Sequence, residues 1–420
     1  MNAVQRMSVH NAITSAGLAG VSETDLLQLF CQTLLRKGHP LSRANVIVDT
    51  LHPVHEGRAF RWWRDSLQLP SVVEYGRTNV SGPAQENWQR SIFYHLLQTG
   101  GSLLRCRLVD DLRSDFPILG EMRAEGQTEH VVLINRFAEE GALGEMDCVY
   151  SSWTTDHPDG FSDDQVDALA ELVPSLALAI KSTSLARIAE TLLETYLGRD
   201  AGRRVLRGRI ERGVADRIGA VLWFSDLRHF TQIADQVEPE FLIPFLNDYA
   251  DAVITSIHEA GGDVLKLIGD GVLAMFWGED MADARRAALR AEHLFRKNIA
   301  ALNKRREADG RPTTSAYIGL HVGEVFYGNI GSEDRLDFTV VGPTVNEVSR
   351  IASMSRSVDR ELLASSEFYQ GLDAAGRRYL VSTGRYALRG IGRAQDLYTL
   401  DPEVDASEPV TGSYERYLAS

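Results

Sequence analysis

Residues 221–231 read VLWFSDLRHFT, and residues 261–277 read GGDVLKLIGDGVLAMFW. The first is a continuous apolar run closed by Asp226, with a helix expected directly after it. A buried strand feeding a helix sets unpaired N–H groups and a positive dipole end beside a carboxylate. That combination suits a phosphate-bearing ligand and a hard cation. The second stretch is two apolar strands joined by Gly269–Asp270–Gly271, a tight hairpin that places Asp270 at its tip. Lys266 sits inside the first of these strands, amid Leu265, Leu267 and Ile268, where a lysine is either at an exposed edge or aimed at something specific. Taken singly, Asp226 is as well explained as a helix cap and Asp270 as a turn residue.

A third segment, RLDFTVVGPTVNEVSRIASMSR (335–356), predicts a helix opened by a capping box of Thr344 and Glu347. Asn346 and Arg350 are four apart and share one face of it. Between and around these segments the pattern reads strand (220–224), helix (239–260), strand–turn–strand (263–277), helix (282–306) and strands (315–330). Short strands follow, ending at Leu400. The expected boundaries are a C-terminal domain over 215–402 and a tail over 403–420.

In order and spacing, the three segments together resemble the class III adenylyl and guanylyl cyclase family over about residues 215–400. FSDLRHFT is similar to that family's first metal motif, GGDVLKLIGDGVLAMF to its second, and TVVGPTVNEVSRI to the segment of its transition-state pair. The resemblance implies a ferredoxin-like catalytic domain with Asp226, Leu227 and Asp270 as metal positions for two Mg²⁺ or Mn²⁺ ions. It implies Asn346 and Arg350 as the catalytic pair, and Lys266 with Thr339 as the residues that read the purine. Phe230, Thr231, Arg335 and Arg389 are further substrate-binding positions on the same ground. Lysine with threonine resembles the adenylyl type, where guanylyl cyclases carry glutamate and cysteine, so the implied reaction turns ATP into 3′,5′-cyclic AMP and pyrophosphate. The alternatives are a guanylate cyclase, or a catalytically inactive nucleotide-sensing or dimerisation protein. A diguanylate cyclase suggested by Gly261–Gly262–Asp263 lacks the rest of the GGDEF signature.

Lys266 precedes Asp270 by four residues, about 13 Å along an extended strand. One compact site cannot easily use both from the same strand. A head-to-tail homodimer with shared sites, which the resemblance also implies, removes that conflict.

Residues 1–21 read as a loose tail. From Ser22 a capping pair, Ser22 and Asp25, opens a helix with Leu26, Leu27, Phe30 and Leu34 on one stripe. Strands at 45–51, 102–108, 130–137 and 146–153 and a helix at 84–98 complete an α+β domain over 22–182. Its closing portion, HVVLINRF…CVYSSW…GFSDDQVDALAELV, resembles a GAF-type α/β sensor domain, which implies a small molecule or other signal as its partner. Phe60, Trp62, Trp63 and Trp88 either line a ligand pocket or pack the core. Ser162 and Gln165 predict the cap of a long helix that Pro174 should kink. Leu178, Leu185, Ile188 and Leu192 then repeat at coiled-coil spacing, so 183–214 is read as a helical, coiled-coil linker between sensor and catalytic domains.

Composition bounds the rest. A 420-residue chain that is 44% hydrophobic can bury two cores, and a formal charge of −14 argues against a nucleic-acid binder. Three cysteines without a CxxC pair give neither a disulfide framework nor a zinc site. Neither a signal-peptide pattern nor a long apolar run stands out, so a cytoplasmic protein without a membrane partner is expected.

Overall fold

The computed structural model describes residues 1–66, 70–78, 82–108, 116–137 and 146–403, and divides into two compact units, Met1–Leu192 and Leu193–Ser420.

Unit 1 runs α1 (Ala3–Leu18), α2 (Glu23–Arg36), β1 (Arg43–Asp49), β2 (Gly57–Trp63), β3 (Ser71–Tyr75), α3 (Pro83–Gln89), α4 (Ile92–Thr99), β4 (Leu103–Arg107), α5 (Pro117–Ala124), β5 (Glu129–Arg136), β6 (Cys148–Thr155) and α6 (Asp163–Leu197). Its strands form one antiparallel sheet in the order β3-β2-β1-β6-β5-β4. Alternation decides which side chain faces which layer. Val46, Phe60, Trp62, Val131 and Trp153 join α1, α2 and α6 in one core, while Val132, Ile134 and Tyr150 join α4 and α5 in another.

Several expectations are corrected here. The expected tail at 1–21 is a helix: Asn2 and Gln5 form a capping box, and Val9 and Ile13 are fully buried. The helix expected at 84–98 breaks at Arg90, and Ser91 caps the second piece through the Tyr94 N–H. The leucine repeat of α6 is not a free stripe, since Ile188 is buried in unit 1's own core and Leu185 and Leu192 pack against it. Of the four positions only Leu178 is strongly exposed. Contrary to the reading of the sequence, α6 is long and apolar enough, by length and composition, to cross a membrane; half of the qualifying window is buried. Ser162 and Gln165 cap α6 reciprocally, as expected.

Unit 2 continues with α7 (Arg199–Leu206), β7 (Ala215–Leu227), α8 (Phe230–Gln236), α9 (Pro239–Glu259), β8 (Asp263–Ile268), β9 (Gly271–Phe276), α10 (Met281–Ala308), β10 (Ala316–Gly331), β11 (Leu336–Val341) and α11 (Pro343–Val358). It closes with β12 (Leu362–Ser365), α12 (Ser366–Gln370), α13 (Ala374–Arg377), β13 (Leu380–Tyr386) and β14 (Gln395–Leu400). β7, α9, β8, β9, α10 and β10 make a βαββαβ core whose strands lie in the order β10-β7-β9-β8, antiparallel throughout. This is the ferredoxin-like arrangement expected from the sequence. Val221, Trp223 and Leu227 face α9 and α10, whereas Ala220 and Leu222 face the other side with Phe338, Val340 and Val348. The even-numbered residues of β7 therefore share the face over which β11 and α11 lie.

On α10, burial pushes the Glu292 carboxyl up to about 7 against the pull of Arg296, 2.7 Å away. Its folded value lies above the ordinary 4.5, so its contribution to stability is whole below that pH and is lost as pH rises through about 7. Calorimetric melts of wild type and Glu292→Gln should diverge between about pH 5 and pH 8, with the fall in Tm confined to the wild type. A wild-type Tm that climbs across that window contradicts this account.

Candidate active site

The decisive feature is where β7 stops. Ser225 pairs with Val272, so the end of β7 lies beside the β8–β9 hairpin, whose two turn residues are Gly269 and Asp270. Gly269 has φ of 64°, a left-handed conformation that glycine takes freely in so tight a turn. The Leu227 N–H donates to Asp270 Oδ2 at 3.2 Å, tying the hairpin tip to the end of β7. Asp226 and Asp270, 44 positions apart in the chain, meet there. Burial, reinforced by the Asp270 carboxylate, lifts Asp226 to about 6. Leu227 itself is fully buried, so only its backbone reaches the site.

Two half-buried carboxylates held together are unfavourable unless a cation answers them. As hard oxygen donors they fit Mg²⁺ or Mn²⁺. Among the described residues no third His, Cys, Asp or Glu joins them, so further ligands must come from backbone, water or substrate. The helix expected directly after Asp226 starts later, at Phe230, preceded by His229 with φ of 56° and no side-chain cap. Asp226 is thus not spent as a helix cap. Phe230 is half-buried against the α9–α10 core, and Thr231 is exposed on the first turn of α8.

A second group forms around Lys266. The β8–β9 register shifts between Val264 and Lys266, and Lys266 then faces Leu273. A bulge of this kind re-aims a side chain. Lys266 is exposed, and its ammonium is paired with Asp337 of β11. Asp337 and Thr339 are two apart on one strand and point to the same side, so Thr339 stands next to the lysine's partner. Asp337 went unnoticed in the sequence, although its alternation with Thr339 was there to be read.

The third group rides on α11. The expected capping box is absent: Gly342 is the N-cap, Thr344 Oγ1 donates to the Glu324 carbonyl at 2.7 Å, and Glu347 is held by Gln395 Nε2 at 3.0 Å. Glu347 also lies 3.2 Å from Nε2 of buried His321, whose Nδ1 is 2.8 Å from Ser365 Oγ. These contacts fix the helix on the sheet. It lies so close that a Cβ on Gly319 would come within 2.7 Å of the Val348 carbonyl and the Ala352 nitrogen. Asn346 and Arg350 are exposed, and among the described residues Arg350 has no ion-pair partner. Arg335 and Arg389 lie exposed in the turns after β10 and β13, without a bond to either aspartate.

Among the described residues no hydrogen bond or ion pair joins the Asp226–Asp270 group to Lys266, Asp337 or Thr339, nor to Asn346 or Arg350. The cation that does reach Asp226 is Arg356, at 3.2 Å from Oδ2. Its place in the last turn of α11 gave no signal in the sequence.

Residues 215–401 match the family described as the adenylate and guanylate cyclase catalytic domain. Over 163 residues the chain is 32% identical to an adenylate cyclase of Anabaena cylindrica, which covers 39% of this chain and 32% of that protein. Over 170 residues it is 31% identical to adenylate cyclase 1 of Rhizobium meliloti, covering 39% and 25%. The chain thus spans between a quarter and a third of the length of these curated relatives. Among solved structures, the adenylyl cyclase CyaB from P. aeruginosa is 26% identical with a TM-score of 0.42, covering 47% of this chain and all of that one.

Asp270→Asn keeps an acceptor for the Leu227 N–H and removes the like-charge repulsion. It should melt at the same temperature as wild type or a few degrees higher, by about 1 kcal/mol or less. Mn²⁺ should raise the Tm of the wild type and leave the variant unmoved.

Proposed function

Because residues 215–401 are a catalytic domain of the class III adenylyl/guanylyl cyclase family, we propose that the chain is an adenylate cyclase. It closes ATP into 3′,5′-cyclic AMP, releasing pyrophosphate, at sites shared between two copies. The observation that carries the reading is the meeting of Asp226 and Asp270 at the end of β7. The reaction is in-line attack of the ribose 3′ oxygen on the α-phosphorus, with the pyrophosphate oxygen leaving opposite. Two divalent ions held there would lower the pKa of the 3′ hydroxyl and neutralise phosphate charge.

The chain's own groups do the rest. Asp226 and Asp270, with the Leu227 backbone, supply the hard oxygens and fix where the triphosphate sits. Arg350 answers charge developing on the α-phosphoryl oxygens, and Asn346 orients the ribose. Lys266 donates to a ring nitrogen of adenine, and the Thr339 hydroxyl accepts from the 6-amino group. Asp337 holds the Lys266 ammonium where that hydrogen bond forms. Arg335, Arg389, Phe230 and Thr231 are the remaining substrate contacts. Lys266 and Thr339 favour ATP over GTP.

The exposed Asn346 and Arg350, unbonded to their own chain's acidic pair, support sharing: one copy offers the aspartates, and the other offers Lys266, Thr339, Asn346 and Arg350. Exposed apolar side chains on β8, β10 and β11 (Leu267, Ile268, Phe326, Ile330 and Val341) fit such a homodimer. Unit 1 is the sensor in this reading. A cavity of about 970 Å³ lies on the sheet face that carries Asn45, Ser152 and His130, and its occupant would bias the catalytic dimer. Of the four aromatics considered from sequence only Trp88 lines that cavity, because Phe60 and Trp62 lie in the opposite core and Trp63 is partly exposed.

Purified chain with Mn²⁺ should release pyrophosphate from ATP and much less from GTP. Lys266→Ala and Asp226→Ala should each be inactive, and a mixture should recover activity through the one intact site of the heterodimer. Absence of any recovery overturns sharing; GTP preference overturns the adenylyl assignment. Asp337→Asn should raise the KM for ATP several-fold with a smaller change in kcat, as expected when an interaction made equally in ground and transition states is lost.

A further inference from the structure

We propose that Arg356 is an internal competitor for the cation site: its guanidinium and a divalent ion contend for the same Asp226 carboxylate, so that one residue sets how tightly the ion is held. The inference rests on the metal-binding reading of Asp226 and Asp270 and adds to it Arg356, which lies beyond the TVVGPTVNEVSRI stretch that carries Asn346 and Arg350.

Four observations carry it. Arg356 Nη2 lies 3.2 Å from Asp226 Oδ2, and among the described residues it is the only basic side chain within ion-pairing distance of either aspartate. Arg356 has one acidic partner and its side chain is 64% exposed, so it is free to leave. Its neighbour Arg228 is committed elsewhere, to Asp359 at 2.8 Å and Glu361 at 3.5 Å. Both guanidinium groups flank buried Tyr317, which pairs with Asp226 across β10 and β7; Arg228 sits 4.9 Å and Arg356 5.9 Å from the ring centre. Tyr317 thus gives Arg356 a second resting place close to the carboxylate.

The helix explains why this arginine and not Arg350 makes the contact. The two are six positions apart, which turns Arg356 about 120° round α11 from Arg350 and moves it about 9 Å along the axis. One helix therefore shows Asn346 and Arg350 to one side and Arg356 to another, towards the aspartate of its own chain. Arg356 also sits in the last turn of α11, where a cation is favoured by the helix dipole whether or not it is paired.

The energetics fix the sign. An exposed ion pair is weak, so a divalent ion can displace the guanidinium. The displaced charge stays tethered nearby and opposes the ion, which lowers its affinity. Had Arg356 only held Asp226 in place, removing it would weaken ion binding instead.

The test is Mn²⁺ binding to the full chain without nucleotide, read as free Mn²⁺ by electron paramagnetic resonance. Arg356→Gln should bind Mn²⁺ about three- to tenfold more tightly than wild type, the size expected of one unit charge near a divalent ion in a water-like dielectric. Arg356→Glu should bind more tightly still, and the gaps should shrink as salt is raised towards about 0.15 M. Asp226→Asn is the control on the underlying reading. If it binds Mn²⁺ as wild type does, the metal site itself is misplaced and the proposal falls with it. If Asp226→Asn loses Mn²⁺ while Arg356→Gln binds equally or more weakly than wild type, the metal site stands and the competition is overturned.

Discussion

The candidate site depends on one backbone hydrogen bond, from the Leu227 N–H to Asp270. It locks the tip of the β8–β9 hairpin to the end of β7 and so brings two carboxylates from distant parts of the chain together. Register makes this possible. Val221, Trp223 and Leu227 fill the core under α9 and α10, which commits the even-numbered Asp226 to the opposite face. A slip of one residue would bury the carboxylate among those apolar side chains and drive Trp223 into the face already filled by Phe338, Val340 and Val348. The hydrophobic core thereby positions the acid.

Half-burying one carboxylate and setting a second beside it is unfavourable: burial first, then the neighbouring Asp270, raises Asp226 to about 6. The surroundings answer with separated cations, each with its own task. Arg356 reaches Asp226, Lys266 is held away by Asp337, and Arg350 is presented to the outside. Because only the exposed Arg356 touches the aspartates while Lys266 and Arg350 stay off them, the acidic pair stays within reach of an ion. The helix that carries two of them is fixed from beneath by Gly319 and from its flank by the His321–Glu347 contact.

Unit 1 follows a different plan. Its sheet packs apolar side chains against α1, α2 and α6 on one side, yet keeps a row of polar groups on the other. Both ring nitrogens of His130 and the side-chain amide oxygen of Asn45 (Oδ1) are buried without a partner among the described residues. Burial, helped by Arg43, drives His130 down to about 3, so it is a neutral imidazole there. Polar atoms left in that condition cost about 1–3 kcal/mol each, a cost consistent with a face shaped for something other than core packing.

The sequence alone determined the βαββαβ succession of unit 2, the hairpin that lifts Asp270, and the shared helical face of Asn346 and Arg350. These features are local: an apolar run, a Gly-Asp-Gly turn and four-residue helical spacing act over a few residues, so they are written in order along the chain. Helix α1 was misjudged because what holds it, Val9 and Ile13 against other elements, is a tertiary contact that its own weak amphipathicity does not announce. The same holds for α6, where coiled-coil spacing and packing on one's own core look alike in one dimension. Only the tertiary structure decided that Lys266 would find Asp337, that Glu347 would tie a helix to His321 instead of capping it, and that Arg356 would reach Asp226. Such pairings depend on strand register, a bulge and the rotation of a helix over a sheet, and those are settled by how whole layers pack.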